Sequence, residues 1–386
     1  MTARIGRTGV AALMVAHCAG MVDLVALPVW VGTLMQHRKL DPQQAGGLVT
    51  LFLAGAVLAS LVVAPRLARL PVRGLAASGF ALAAACFAML IGDLSYAAMA
   101  ALHGVAGLAA GASLSVTHGT IARSANPHRL FALVGMALGV FAVIFLGAAS
   151  KLVQTTGGSQ VMFGMFAGVM AFAAVVAALA FPRPDATAAH EVAPGAGRIA
   201  RVVWYGIAGI SAMALVQSMT FSFLERVGRS RGFEADAITA VLVVLGLVNL
   251  LPAVLAALLE KRWPAHRVLL AGPAVQALLC VTIMSSAAFG PYAAAASVFA
   301  AVMIFTHTFA FGLLARLDPS GRALAATPAM LMAGAAVGPI LGGTLVKAFG
   351  YETIGIAAAL IAAVAVLCFL QLRPRAAAAA AAGASA

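Results

Sequence analysis

The sequence predicts an all-α integral membrane protein of twelve transmembrane helices, arranged as two pseudo-symmetric six-helix bundles with both termini cytoplasmic. Three observations carry that expectation. Of 386 residues, 63% are hydrophobic and 9% charged, with a mean hydropathy of +1.05; a soluble domain carries about 25% charged residues. Apolar runs near the ~20 residues that a bilayer core requires recur twelve times. Lys and Arg crowd into alternate loops between those runs, which is the pattern that sets orientation.

In chain order the runs fall near 10–36, 45–64, 74–92, 96–121, 131–150, 161–181, 202–224, 238–259, 268–289, 292–315, 324–346 and 353–372. The first follows Arg4 and Arg7 as a secretory signal would. A signal h-region spans about 7–15 residues, whereas this run continues past Asp23 to Met35 and reads as a first span. Tight turns at Gly92–Ser95 and Gly290–Pro291 separate neighbouring runs. The Pro- and Gly-rich interval 182–201 divides the chain into an N-terminal bundle, 1–181, and a C-terminal bundle, 202–375. An Ala-rich low-complexity tail occupies 376–386. Trp30, Trp204 and Trp263 lie near run ends and read as interface anchors. Cys18, Cys86, Cys280 and Cys368 lie inside apolar runs without pairing rhythm and read as small hydrophobes.

With the N-terminus inside, 17 Lys and Arg fall on the cytoplasmic side and 7 on the other. The net charge of +13 is therefore read as topology, with the lipid bilayer and not nucleic acid as its partner. The halves also repeat. Arg123 and Arg129 recur as Arg316 and Arg322, the loop ending at Arg73 recurs as the loop ending at Arg267, and AGMVD ending at Asp23 corresponds to MALVQ ending at Gln217. The offset of 193 or 194 holds at all three places.

Twelve spans, a central cytoplasmic linker and a parallel repeat resemble the major facilitator superfamily over residues 5–375. The basic loop between helices two and three keeps Arg66, Arg69 and Arg73 but lacks that family's aspartate. In the fourth helix, His103 replaces the family's arginine ahead of Gly107 and Gly111. The Gly-rich pattern that the family's antiporters carry in helix five appears in helix eleven, as Gly334, Gly338, Pro339, Gly342 and Gly343. These glycines read as helix-packing and gating positions, and Arg66, Arg69, Arg73, Arg123, Arg129, Arg316 and Arg322 as cytoplasmic loop anchors. The resemblance implies a central path lined by helices one, four, seven and ten.

On those helices stand His17 and Asp23, then His103, Thr117 and His118, then Gln217 and Thr220, then Thr306 and His307. Counted from the cytoplasmic ends at ~1.5 Å per residue, Asp23 lies ~20 Å deep, Gln217 ~22 Å, His103 ~27 Å and His307 ~12 Å. Of the 11 acidic residues, Asp23 alone lies well inside a run, with Glu225 at the end of helix seven. A carboxylate at that depth costs ~3 kcal/mol on insertion scales and marks a functional site. Asp23 is therefore expected to couple protons, with His103 as its modulator, and Gln217, Thr220, Thr306 and His307 to line a substrate cavity. Phe221, Phe223, Phe309 and Phe311 read either as stacking groups or as lipid-facing residues.

No Walker motif, hydrolase constellation or metal-ligand spacing occurs, so the chain reads as no enzyme and needs no cofactor beyond a proton gradient. The expected function is secondary active transport of a small organic solute by a monomer in a bacterial inner membrane. A lone acid without mid-depth cations favours efflux of a weakly polar or cationic compound. Uptake of a monocarboxylate, and an uncoupled facilitator or exchanger, remain open.

Overall fold

A computed structural model of the chain describes residues 5–182, 200–260, 262–317 and 327–372. The linker within 183–199, the 376–386 tail and Arg322 lie outside the described residues. Every regular element among those described is helical, as lipid demands, since a helix satisfies its backbone N–H and C=O groups internally. The helices are α1 (Arg7–Gly20), α2 (Val22–His37), α3 (Pro42–Val63), α4 (Val72–Met89), α5 (Tyr96–Ala122), α6 (Pro127–Leu152) and α7 (Gly158–Ala180). In the second half they are α8 (Arg201–Ser230), α9 (Ala235–Val248), α10 (Pro252–Leu259), α11 (Ala265–Ser285), α12 (Phe289–Leu317), α13 (Thr327–Phe349) and α14 (Glu352–Leu370).

Among the described residues, eleven stretches are long and apolar enough to cross a membrane. Two expected spans, 131–150 and 161–181, fall within one continuous 52-residue stretch, Arg129–Ala180. A straight helix of that length would measure ~78 Å, more than twice a bilayer core. The chain instead passes through a π turn at Val153–Gly157, and Gly158 adopts φ +56°. That left-handed backbone suits a residue without Cβ. Beyond it, α7 packs back on α6, and both helices touch α1 and α2.

Two other expected runs are interrupted. The first breaks at Met21 (φ −109°, ψ 10°) into α1 and α2. The eighth breaks at Asn249–Leu251 into α9 and the short α10, where Pro252 opens the new helix. The apolar run continues unchanged through the first break, whereas Asn249 and Pro252 mark the second.

The face carrying the N-terminus of α1 is called the terminal face here, and the opposite one the distal face. A single hydrophobic core unites the first half with the distal part of the second, reaching Val216–Val227, Val241–Leu245 and Tyr292–Ala300. The terminal part of the second half has its own core around Ile210, Leu269, Phe309, Leu314 and Phe369. The halves meet through α3 on α13, α2 on α8 and α6 on α9. Among the described residues, their side-chain hydrogen bonds lie towards the distal face. Lys347 donates to Asp41 (2.9 Å), Gln43 to Thr344 (3.2 Å) and the N–H of Ile340 to Thr50 (3.1 Å), while Ser150 meets Thr239 (2.8 Å).

The expected repeat extends to a pair of basic residues beyond those first noted. Arg38 donates to the carbonyls of Leu90 (2.7 Å), Ile91 and Gly92 in the loop after α4. Arg231, 193 residues later (231 − 38), donates to the carbonyls of Met284 and Ser286 at the end of α11. Each arginine ties the end of its half's first helix to the turn between that half's third and fourth spans.

Candidate functional site

Asp23 stands in the first turn of α2, just after the break at Met21. It is 1% exposed, and neither carboxylate oxygen has a hydrogen-bond partner. A helix N-terminus favours negative charge through its unpaired N–H groups and dipole. The broken helix thus supplies a partial compensation that an unbroken one would lack. Beside the break, Met21 packs on a small cluster of Ala56, Leu114 and Met332, in which Met332 comes from the opposite half. The acid therefore sits beside a place where the two halves touch.

His103 is not its modulator by contact. The ring stacks on Trp30 (centroids 5.7 Å) and meets Phe163 edge-on (5.8 Å), while Nδ1 bonds the Met99 carbonyl at 2.7 Å. Trp30 follows Asp23 by seven residues, so the imidazole lies ~10 Å along α2 from the carboxylate. Trp30 itself corrects an expectation. It is fully buried among Phe52, Phe87, Phe166 and His103, so it anchors the first half's interior and not the membrane interface. Trp204 and Trp263 are about half exposed.

The expected cavity residues of the second half are mostly engaged elsewhere. Gln217 accepts from Gln276 of α11 (3.1 Å), whose amide also reaches the Met213 carbonyl. Thr220 donates to the Val216 carbonyl (2.8 Å) and touches Cys280 Sγ (3.1 Å), which turns it into the bundle. Thr306 is buried against Gly272. His307 is half-buried, with its ring 4.9 Å from Phe311 and its Nδ1 unpartnered. The phenylalanines stack on protein: Phe221 on Phe299, Phe223 on Tyr351 and Phe309 on Phe305.

The glycines permit close helix approach. A Cβ at Gly107 or Gly111 would meet the α3 backbone at Phe52 or Ala56, and one at Gly334 or Gly338 would meet α8 at Ser211 or Ser218. Gly342 faces Phe223, and Gly343 faces the Pro42 carbonyl of the other half. Pro339 lies inside α13, with its carbonyl against Gly46 of α3. Of the basic loop residues, Arg73 donates to the C-terminal carbonyl of Ala178 (2.9 Å), Arg66 to Val62 (2.8 Å) and Arg316 to Glu260 (3.2 Å). Arg69 and Arg129 are exposed, and Arg123 closes the C-terminus of α5.

Two arrangements went unseen in the sequence. His17 Nδ1 and His118 Nε2 lie 3.0 Å apart, joining α1 to α5. At the distal end of α8, Glu225 is buried and paired with Arg229 at 2.7 Å. It faces Gly32 of α2, and with Thr33, Gln36, His37 and Gln154 it encloses a narrow space between the halves. The four-residue spacing of Glu225 and Arg229 on one helix was the available signal.

A model of the Major Facilitator Superfamily matches residues 12–319. The fold is similar to a D-xylose–proton symporter (TM-score 0.76, 14% identity, covering 95% of this chain and 97% of that one). It is also similar to the nucleoside transporter NupG (TM-score 0.71, 14% identity, 94% and 99%). An inward-open structure of the xylose transporter XylE from E. coli matches at TM-score 0.70 and 13% identity, covering 92% and 94%. No curated protein matches the chain.

Proposed function

This chain belongs to the major facilitator superfamily, and from that premise we propose that it is a proton-coupled secondary transporter working by alternating access, with Asp23 as the coupling group. The carrying observation is the Asp23 carboxylate, buried at a helix break with both oxygens unpartnered. A buried charge without a partner is costly, so the site calls for a proton or a cation. Asp23 can bind either but not both. Competition between a proton and a weakly polar or cationic organic solute makes the exchange obligatory, and the proton gradient then drives the solute outward.

The architecture proposed is twelve crossings in two bundles, 1–181 and 202–375, with 182–201 as linker and both termini cytoplasmic. The turn at Gly158 and the excess of Lys and Arg on the terminal face support it. In that orientation the conformation reads as closed towards the outside, because the shared core and the side-chain hydrogen bonds between halves gather at the distal face. The working unit is a monomer in a bacterial inner membrane.

Proteoliposomes loaded with candidate cations test the reading. Wild-type protein should move protons against substrate, and Asp23→Asn should lose that exchange to the level of empty vesicles and bind the cation more weakly. Unchanged proton movement in Asp23→Asn would remove Asp23 from the mechanism.

A further inference from the structure

A cleft of about 610 Å³ opens on the outer surface of the second half, between α10, α11 and α12. Its volume falls within the roughly 300–1,000 Å³ of small-ligand sites. The walls are apolar and partly small: Leu255, Val268, Ala271, Val275, Val298 and Phe305 among them. Two guanidinium groups, Arg262 and Arg267, stand with Trp263 at the terminal-face end. From Arg267 to Val275 the cleft descends ~12 Å along α11, towards the middle of the span.

The repeat shows what is unusual here. In the first half Arg73 uses its guanidinium on the Ala178 and Leu179 carbonyls at the end of α7. Its counterpart in the second half is Arg267, 194 residues later (267 − 73). Among the described residues, the guanidinium of neither Arg267 nor Arg262 donates to a carbonyl or carboxylate, and the acid beside them, Glu260, pairs with Arg316. Among the described residues, two guanidinium groups without acceptors thus stand at the terminal-face end of an apolar slot, with Trp263 held edge-on by Phe305 (5.9 Å).

We propose that this cleft binds an anionic phospholipid of the leaflet on the terminal face, with its phosphate between Arg262 and Arg267 and one acyl chain along α11 and α12. Charge complementarity chooses the occupant: a zwitterionic lipid would place its own cation beside two arginines. Each arginine near a membrane surface contributes about 1 kcal/mol towards anionic lipid, or about five-fold in affinity. The site is distinct from Asp23 and does not depend on transport.

Trp263 is its own reporter. The full chain carrying Trp204→Phe, with Trp30 buried, is reconstituted in vesicles containing either brominated phosphatidylglycerol or brominated phosphatidylcholine at equal mole fraction. Quenching of Trp263 should be stronger with the phosphatidylglycerol. Arg262→Gln with Arg267→Gln should abolish that preference, and the Lys pair should keep part of it. Ala271→Leu, which fills the slot without changing charge, should reduce quenching by both lipids. Thermal unfolding confirms that each variant is folded. Equal quenching by the two lipids in the parent, or a preference that survives loss of both arginines, overturns the assignment.

Discussion

Two buried acids, one in the first helix of each half, meet opposite fates. Glu225 near the distal end of α8 has Arg229 one turn away, and the pair plugs the space beneath Gly32, Gln36 and His37. Asp23, at the break between α1 and α2, has only a helix N-terminus for compensation. A matched acid holds a structure together, and an unmatched one waits for something to bind. The distal pair accordingly reads as part of the seal in this conformation, and the mid-span break as the place where a proton or solute would bind.

Removing one partner from the matched pair gives the largest expected effect. Arg229→Leu strands a buried carboxylate and should destabilise the protein by roughly 3–5 kcal/mol, seen as a lowered unfolding temperature in detergent. Glu225→Gln, which leaves only the partly exposed Arg229 unpaired, should be milder. Asp23→Asn should show the opposite sign. It removes a group that costs about 2.5–3.5 kcal/mol at a span centre, so stability should hold or rise while proton exchange disappears. A marked loss of stability in Asp23→Asn would make the two acids alike and collapse the distinction.

The seal can also be forced by volume. At Gly46 a Cβ would enter the Pro339 carbonyl of the opposite half, so Gly46→Ala overpacks only the state in which the distal face is shut. Overpacking costs about 1–3 kcal/mol, which is roughly 5- to 150-fold in the balance between conformations. Cysteines placed along α2 beyond Trp30 should become more reactive to a membrane-impermeant thiol reagent added from the distal side. Unaltered reactivity would mean that the halves do not separate there.

Much of this was legible in the sequence, for a physical reason. Span lengths, the repeat offset and the depth of Asp23 follow from hydropathy and rise per residue, which bilayer thickness constrains tightly. The rotation of each helix about its axis is not so constrained. A run that is apolar all round gives no periodic signal for which side faces a neighbour. Trp30 and His103 therefore looked like an anchor and a partner of Asp23, although both turn into the first half's aromatic interior. Thr220 likewise turns into its own bundle against Cys280, and Gln217 meets Gln276, because the depth of each was readable and its azimuth was not. The break at Met21 was hidden because local backbone dihedrals leave hydropathy untouched, whereas Asn249 and Pro252 were a signal for the other.

The smallest effect isolates the seal from the coupling site by pH. Asp41 caps α3, accepting from the Gln44 N–H (2.9 Å) while Lys347 of the other half donates to its second oxygen (2.9 Å). Slight burial works against its ionisation, but the hydrogen bonds from Lys347 and Gln44, with the Lys347 charge, hold its carboxyl below the ordinary carboxylate range. The sealed form therefore binds this proton less readily than a form in which Lys347 has moved away. The contribution is fully present above the ordinary value, about 3.9, and is lost only as pH falls through the lowered value of the sealed form. Spin labels flanking α3 and α13 at the distal face should report one unchanged distance from pH 8 to pH 5 and a broader distribution in stronger acid. Asp41→Asn should give that broader distribution at every pH. Any pH dependence of transport between 5 and 8 must then arise away from this latch, and it should vanish in Asp23→Asn while surviving in Asp41→Asn.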